Sequence, residues 1–370
     1  MKIVYISNAI IPSRTANSLH IMKMCEAFAK NGNEVILIAP CYENTETGVK
    51  NIFEYYDVEE KFKIKKFSLP KYRYAFLAAR YAKKEKADIV YGRFLPGCYI
   101  SSMLGSKVIF EAHQPITDSR FYSQAMFYHM TKKKNYYKTV VISNKLKDKF
   151  LKTFKSLAAS EVQVAHDGAN RIVINNESSQ LCELDKRINI GYVGHLYSGK
   201  GMELINDLSL RMNNIGFHII GGKEEDILYW KSKLAGRDNV HFYGFKPNKD
   251  ALSLASNCDI LIAPYLKVVK GVGKGKSNLA NWMSPLKIFE YMSLGIPILT
   301  SKLEVIEEVL EHRETAFLCD PENMDEWERE IEFIKNNEKE AVRIANNAKE
   351  VLFKDYTWSQ RAHNVLVNNI

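Results

Sequence analysis

No run of about 18 consecutive apolar residues occurs in this 370-residue chain, so no segment is suited to cross a bilayer as a helix. A basic leader and a small-residue cleavage site are also lacking. The opening MKIVYISNAI runs directly into Pro12-Ser13-Arg14-Thr15 and reads as a first buried strand, not a signal peptide. Six cysteines (Cys25, Cys41, Cys98, Cys182, Cys258 and Cys319) are scattered without paired spacing. That pattern argues against a disulfide framework or zinc site and suits a reducing cytoplasm. No Asp-x-Asp pair, Walker pattern or dinucleotide glycine fingerprint is present. What remains is an ordinary globular composition, 46% hydrophobic and 26% charged, at a length for which two domains are expected.

Charge is unevenly placed. Residues 1–180 carry 28 Lys and Arg against 16 Asp and Glu, whereas the remainder carries 24 against 27. The excess positive charge lies in the first half and favours an anionic partner there, a membrane surface or nucleic acid; a solvated basic face is the plainer account. The stretch from Lys61 to Lys86 mixes eight lysines with Phe67, Tyr72, Tyr74, Phe76 and Tyr81. Such a mixture suits a membrane interface. Single-stranded nucleic acid is compatible with the composition, but no nucleic-acid module accompanies it.

Short buried strands are expected at Ile3–Ile6, Glu34–Ile38, Ile64–Phe67, Ile89–Tyr91, Lys107–Glu111, Thr139–Ile142 and Val162–Ala165, with helical period clearest at Ser18–Lys30 and Asn144–Phe154. A polar linker over Ile174–Leu184 interrupts the rhythm. It restarts with strands at Ile188–Val193, Phe217–Ile220, Val240–Phe242, Ile260–Ala263, Ile296–Leu299 and Ala316–Leu318. Helices are expected between these strands, including Pro285–Ser293 and Glu304–Glu311. Strands alternating with helices imply two doubly wound parallel sheets, with ligands collecting at the carboxyl ends of the strands.

Two segments carry chemistry. In Ile188-Asn-Ile-Gly-Tyr-Val-Gly-His-Leu-Tyr-Ser-Gly-Lys-Gly-Met202, a strand enters a loop with Gly194, Gly199 and Gly201, and a helix follows. Glycines admit an anion close to backbone N–H groups, the helix start adds positive potential, and Lys200 stands there with its ammonium within reach. A glycine-rich turn with a surface lysine is the competing account. In Met283-Ser-Pro-Leu-Lys-Ile-Phe-Glu-Tyr-Met-Ser-Leu-Gly-Ile-Pro297, Ser284 is expected as N-cap, Pro285 as first helical residue and Gly295 as terminator. The N–H groups of Leu286 and Lys287 would form a second anion site. Glu290, in an otherwise apolar helix, needs a partner if buried; a ribose diol or a structural salt bridge would serve.

The pairing of Gly-His-x4-Lys-Gly with Ser-Pro-x-Lys-x-Phe-Glu-Tyr-Met resembles the GT4-type (group 1) retaining glycosyltransferases of GT-B fold. The order of Pro12-Ser-Arg-Thr-Ala-Asn-Ser-Leu-His20, Asn31-Gly-Asn-Glu-Val35, Glu111-Ala-His113, Val141-Ile-Ser143 and Ala165-His-Asp-Gly168 extends the similarity over nearly the whole chain. The resemblance implies two Rossmann-like domains facing across a cleft, at 1–178 and 186–355, with a final helix at about 356–370 returning to the first. It implies transfer of a hexose-type sugar from a nucleotide diphosphate donor to a glycan or lipid-linked acceptor. Retention, no metal, and a place in surface polysaccharide or glycoconjugate synthesis go with that reading.

Carried over by position, Lys200 neutralises the leaving diphosphate and His113 lies by the donor sugar. Ala16, His195, Ser284, Pro285 and Leu286 line the diphosphate and sugar, Glu290 holds the ribose, and Gly244-Phe245 meet the base. His195 stands where many relatives have arginine, Trp282 where they often have an earlier glutamate, and Thr15-Ala16 where they often have two glycines. His20, His166 and Asp167 fit family positions as structural or supporting residues. No cofactor is expected beyond the co-substrate, with a UDP-sugar first and a GDP-sugar next. A cytoplasmic location, peripheral at the inner face of an anionic membrane, completes the expectation, and no nucleic acid is expected as partner. Leu266–Asn281, with Gly271, Gly273 and Gly275 among Lys270, Lys274 and Lys276, is open to reading as a lid or a plain loop. The rival readings are an epimerase or hydrolase of the same fold and a non-catalytic nucleotide-binding assembly protein.

Overall fold

The structure is a computed structural model that describes residues 1–41, 46–68, 70–118, 121–172, 188–270 and 278–367. The linker expected over Ile174–Leu184, Cys182, and the Gly271–Lys276 part of the stretch open to reading as a lid or a plain loop lie outside the described residues. The chain divides into two compact units, Met1–Asp167 with Trp358–Ile370, and Gly168–Thr357.

Unit 1 is built on seven parallel strands: β1 (Lys2–Ile6), β2 (Glu34–Pro40), β3 (Lys63–Phe67), β4 (Ile89–Gly92), β5 (Val108–Ala112), β6 (Tyr136–Val141) and β7 (Val162–Val164), in the order 3-2-1-4-5-6-7. Runs such as Ile3-Val4-Tyr5-Ile6 are buried on both faces, as helix-covered parallel strands require. Register is set through the centre, where Ile3 pairs with Val35 on one side and Ile89 on the other. The edge strand β3 is the exception. It carries Lys63, Lys65 and Lys66, and charge on an exposed edge discourages pairing with a second chain.

Those edge lysines account for part of the basic, aromatic stretch from Lys61 to Lys86. Most of the rest forms a helix, Lys71–Lys84, which periodicity had not marked. Its inner face is Tyr74, Ala75, Ala78, Ala79 and Ala82, all buried. Alanine contributes little to a hydrophobic pattern, and Phe76 and Leu77 lie exposed on the opposite face, which hides the period. Tyr74 is therefore core and not interface; its hydroxyl donates to the carbonyls of Ser7 and Ile38. Phe76 remains exposed, while Phe67 and Tyr81 pack edge to face. Helices at Leu95–Met103 and Phe121–Thr131 also lie between strands of this unit.

Unit 2 has six parallel strands: β8 (Ile188–Val193), β9 (Ile215–Ile220), β10 (Val240–Gly244), β11 (Ile260–Ala263), β12 (Ile298–Ser301) and β13 (Phe317–Cys319), in the order 10-9-8-11-12-13. Alternate residues feed two cores. Ile190, Tyr192, Phe217, Ile219 and Ile262 pack with Trp327 on one face, and Leu261, Ala263, Ile298 and Leu318 pack with Phe289 and Tyr291 on the other. The strand order reverses between β8 and β11, so the carboxyl ends of these two strands form the switch point where such sheets bind ligands. In unit 1 the corresponding reversal lies between β1 and β4. The expected helix Glu304–Glu311 is shorter, closing at Glu307. Among the described residues no helix is long and apolar enough to cross a membrane.

Candidate active site

β8 ends at Val193, and Gly194 turns the chain with φ 147°, a conformation that strains any L side chain. The loop then runs to the helix Met202–Arg211, whose cap Gly201 has φ 113° and leaves no room for a Cβ against the Pro264 carbonyl. Gly199 N–H donates to Glu203 Oε1 at 3.1 Å, so part of the loop is held by its own helix. Lys200 lies between these glycines but is not the surface lysine of the simpler account. It is half-buried, with Nζ 5.4 Å from the Tyr197 ring centre and 5.2 Å from that of Tyr265. Burial lowers its pKa from 10.5 to about 8. His195 presents its carbonyl to the Tyr192 hydroxyl at 2.6 Å and its ring lies 5.7 Å from Tyr197.

The second motif begins one residue later than expected. Pro285 is the N-cap and the helix is Leu286–Leu294, which places Ser284 outside the helix as a buried neighbour. Proline supplies no side-chain cap, so the first-turn N–H groups of Leu286 and Lys287 have no partner from within the helix. Gly295 closes the helix at φ 69°, as expected. Glu290 accepts a hydrogen bond from Asn248 Nδ2 at 2.8 Å, a partner the sequence did not suggest. Trp282 follows a single 3₁₀ turn, Leu279–Asn281. At the end of β10, Gly244 accepts from Gly221 N–H at 2.8 Å, and Phe245 follows. The structure thus brings His195, Lys200, Ser284, Pro285, Leu286, Glu290, Gly244 and Phe245 into unit 2, in β10, the loops after β8 and β10, and the segment after β11.

The motif also contributes a side chain that its sequence does not single out. Lys287 folds back so that Nζ is 3.8 Å from the Tyr192 ring centre and 5.3 Å from that of Tyr265. Nζ is fully shielded from solvent and has no hydrogen-bond partner among the described residues.

Unit 1 holds Ala16 and His113. Ala16 is the exposed first residue of the helix Ala16–Lys30, capped by Thr15, whose hydroxyl accepts from Ser18 N–H. His113 follows β5 and rests on Glu111, the fully buried centre of a charged cluster. Glu111 Oε1 is 2.5 Å from His113 Nε2, 2.8 Å from His20 Nε2 and 3.0 Å from Arg361 Nη2. Tyr91 donates to the other carboxylate oxygen, and His20 Nδ1 lies 2.9 Å from Asp167 Oδ1. Arg361 comes from the helix Trp358–Asn364 and is fixed further by the carbonyls of His166 and Ala165. His20, Glu111 and His113 have the atoms to ligate a metal, all within 4.8 Å of one another. The guanidinium on the shared oxygen already supplies a positive charge there.

Burial alone would raise the pKa of Glu111; Arg361 and then His20 overcome it and hold the carboxyl well below its usual range. For His113, burial and then Arg93 lower the pKa from 6.5 to about 3, so at neutral pH it is an uncharged imidazole donating from Nε2 and offering the Nδ1 lone pair. The linkage has a definite sign. Between pH 6.5 and about 3 the unfolded chain binds a proton at position 113 that the folded chain refuses, so stability falls as pH drops through that window. The Glu111 contribution is lost only below about pH 4.5, as pH falls towards the folded value. Urea midpoints at pH 7, 6 and 5 should decline in the wild type and decline less in His113→Asn; parallel declines would refute this assignment.

Residues 18–171 match the family profile described as Glycosyltransferase Family 4, and residues 173–351 the profile described as Glycosyl transferases group 1. The chain belongs to this glycosyltransferase family. An uncharacterized glycosyltransferase of Methanocaldococcus jannaschii is 23% identical over 240 residues, which are 60% of this chain and 57% of that protein. The match therefore spans little more than half of that relative's length. Among solved structures, Anabaena HepE in complex with UDP-glucose aligns with TM-score 0.71 at 14% identity, over 99% of this chain and 98% of that one. Sucrose-phosphate synthase from Thermosynechococcus elongatus aligns with TM-score 0.73 at 14% identity, over 98% and 96%. WaaG, a glycosyltransferase involved in lipopolysaccharide biosynthesis, aligns with TM-score 0.65 at 15% identity, over 99% of both chains. At such identities the likeness is one of fold, and the fold of this glycosyltransferase is GT-B.

Proposed function

We propose that this glycosyltransferase moves a hexose-type sugar from a nucleotide diphosphate donor to a glycan or lipid-linked acceptor, with retention of configuration. The observation that carries the reading is the glycine loop after β8, which presents a half-buried Lys200 at a helix start with no acidic partner among the described residues. As the sugar bond breaks, negative charge grows on the departing nucleoside diphosphate. Lys200, a hydrogen bond from His195 and the starts of the helices at Met202 and Leu286 stabilise that charge more in the transition state than in the bound donor. These groups supply in place what a divalent ion supplies elsewhere. Glu290, oriented by Asn248, accepts from the ribose hydroxyls, and the backbone at Gly244-Phe245 meets the base. Ser284, Pro285 and Leu286 line the diphosphate and sugar.

UDP is the preferred carrier, supported by HepE, whose structures of the same fold hold UDP and UDP-glucose; GDP is next. The basic first half supports an acceptor at an anionic membrane surface. A thermal-shift screen of nucleotide sugars tests the donor, since a ligand that binds only the folded state raises its melting temperature. With the best donor, nucleoside diphosphate release should require an added acceptor. Release without acceptor would point to a hydrolase, and donor binding with no turnover to an assembly protein.

A further inference from the structure

We propose that Lys287 is a second cation for the donor diphosphate, reaching the anion beneath Gly194 and acting together with Lys200. This rests on the nucleotide diphosphate reading above and adds to the Lys287 backbone N–H its side-chain ammonium.

The geometry is specific. Lys287 Nζ is shielded from solvent, lacks a hydrogen-bond acceptor among the described residues, and lies over the rings of Tyr192 and Tyr265. An ammonium so placed is costly unless something supplies both charge and lone pairs. The position it occupies exists because residue 194 has no side chain: a Cβ there would lie 2.9 Å from Nζ. Gly194 begins the loop that carries Lys200, and both ammonium groups approach the ring of Tyr265, at 5.3 Å and 5.2 Å. The groups that face Lys287 are Lys200, Glu290, Tyr192 and Tyr265.

Two ammonium groups that approach one tyrosine ring repel each other. The arrangement is favourable only when an anion of more than one charge settles against both, and a diphosphate meets that condition where a carboxylate does not. Lys200 is the only lysine or arginine in the loop Gly194–Gly201, so a second cation from another element has a role to fill. Burial, and then Lys200, hold the pKa of Lys287 well below 10.5 in the empty protein. A bound diphosphate reverses that preference, so binding takes up protons and the affinity weakens as pH rises.

The test is titration calorimetry with UDP at pH 8 in Hepes and in Tris, which differ in ionisation enthalpy, with uridine as the phosphate-free control. The wild type should take up protons with UDP and none with uridine. Lys287→Met should bind UDP at least tenfold more weakly, with less proton uptake and unchanged uridine affinity. Unaltered UDP affinity and uptake in that variant would overturn the proposal. Uridine binding by Lys287→Met reports that it is folded. If it is not, Lys200→Met serves instead: proton uptake on UDP binding persists if Lys287 is a second cation, and complete loss of uptake overturns it. A wild-type protein that binds neither UDP nor GDP would instead refute the donor reading beneath.

Discussion

Lys200→Ala is expected to lower kcat/KM for sugar transfer by about 10²–10³-fold, the loss typical when one preorganised donor to a developing anion is removed. The effect is large because Lys200 is charged where water is scarce, between Gly199 and Gly201 and against the rings of Tyr197 and Tyr265. It forms no ion pair among the described residues, so its removal disturbs no internal partner and the melting temperature should change little. With a pKa of about 8 in the empty protein, the side chain loses its proton above that pH, and kcat/KM should fall there in the wild type. Steady-state kinetics from pH 6 to 9.5 on both proteins test this. Equal kcat/KM at pH 7 would remove Lys200 from the chemistry.

The second large effect concerns stability. Arg361→Ala should cost about 3–5 kcal/mol of unfolding free energy, because it leaves a buried carboxylate without its guanidinium. Glu111 is fully buried, Arg361 is 2% exposed in its side chain, and they meet at 3.0 Å. Burial of Glu111 favours a neutral carboxyl, so the variant relaxes by protonation of Glu111. That takes up a proton, and the deficit should therefore narrow as pH falls from 7 to 5. Urea unfolding of the wild type, Arg361→Ala, Glu111→Gln and the double variant measures the coupling. The double variant should be less destabilised than the two single losses summed. A loss below about 1 kcal/mol in Arg361→Ala would show that the ion pair is not what holds the cluster together.

The parts of this molecule that could be read from the sequence are those whose signal is local. Ile3–Ile6, Ile188–Val193 and Ile260–Ala263 are uninterrupted apolar runs, and they are strands. Their alternation with helices suffices for two doubly wound units. The helix Lys71–Lys84 is hidden because alanines form most of its inner face while Phe76 and Leu77 lie exposed on the outer one. The cap of the helix Leu286–Leu294 moved to Pro285 because proline's fixed φ suits a residue before the helix as well as its first turn. The charged cluster was illegible for a different reason: Glu111 meets Arg361 across 250 positions of sequence, and no period or spacing encodes such a pair. Lys287 lies inside the Ser284–Met292 motif, yet only the folded chain shows that its ammonium turns inward to Tyr192.

The discontinuity of unit 1 also bears on how the chain is made. Glu111, His20 and Asp167 emerge from the ribosome early, but Arg361 follows only after all of Gly168–Thr357 has been synthesised. At roughly 5–20 residues per second that interval is about 10–40 s. Throughout it the nascent first sheet lacks both the guanidinium for its central carboxylate and the Trp358 ring that packs edge-on to His20 at 5.2 Å. The second unit can complete its core first, although it is encoded later, and the last helix then closes the earlier one.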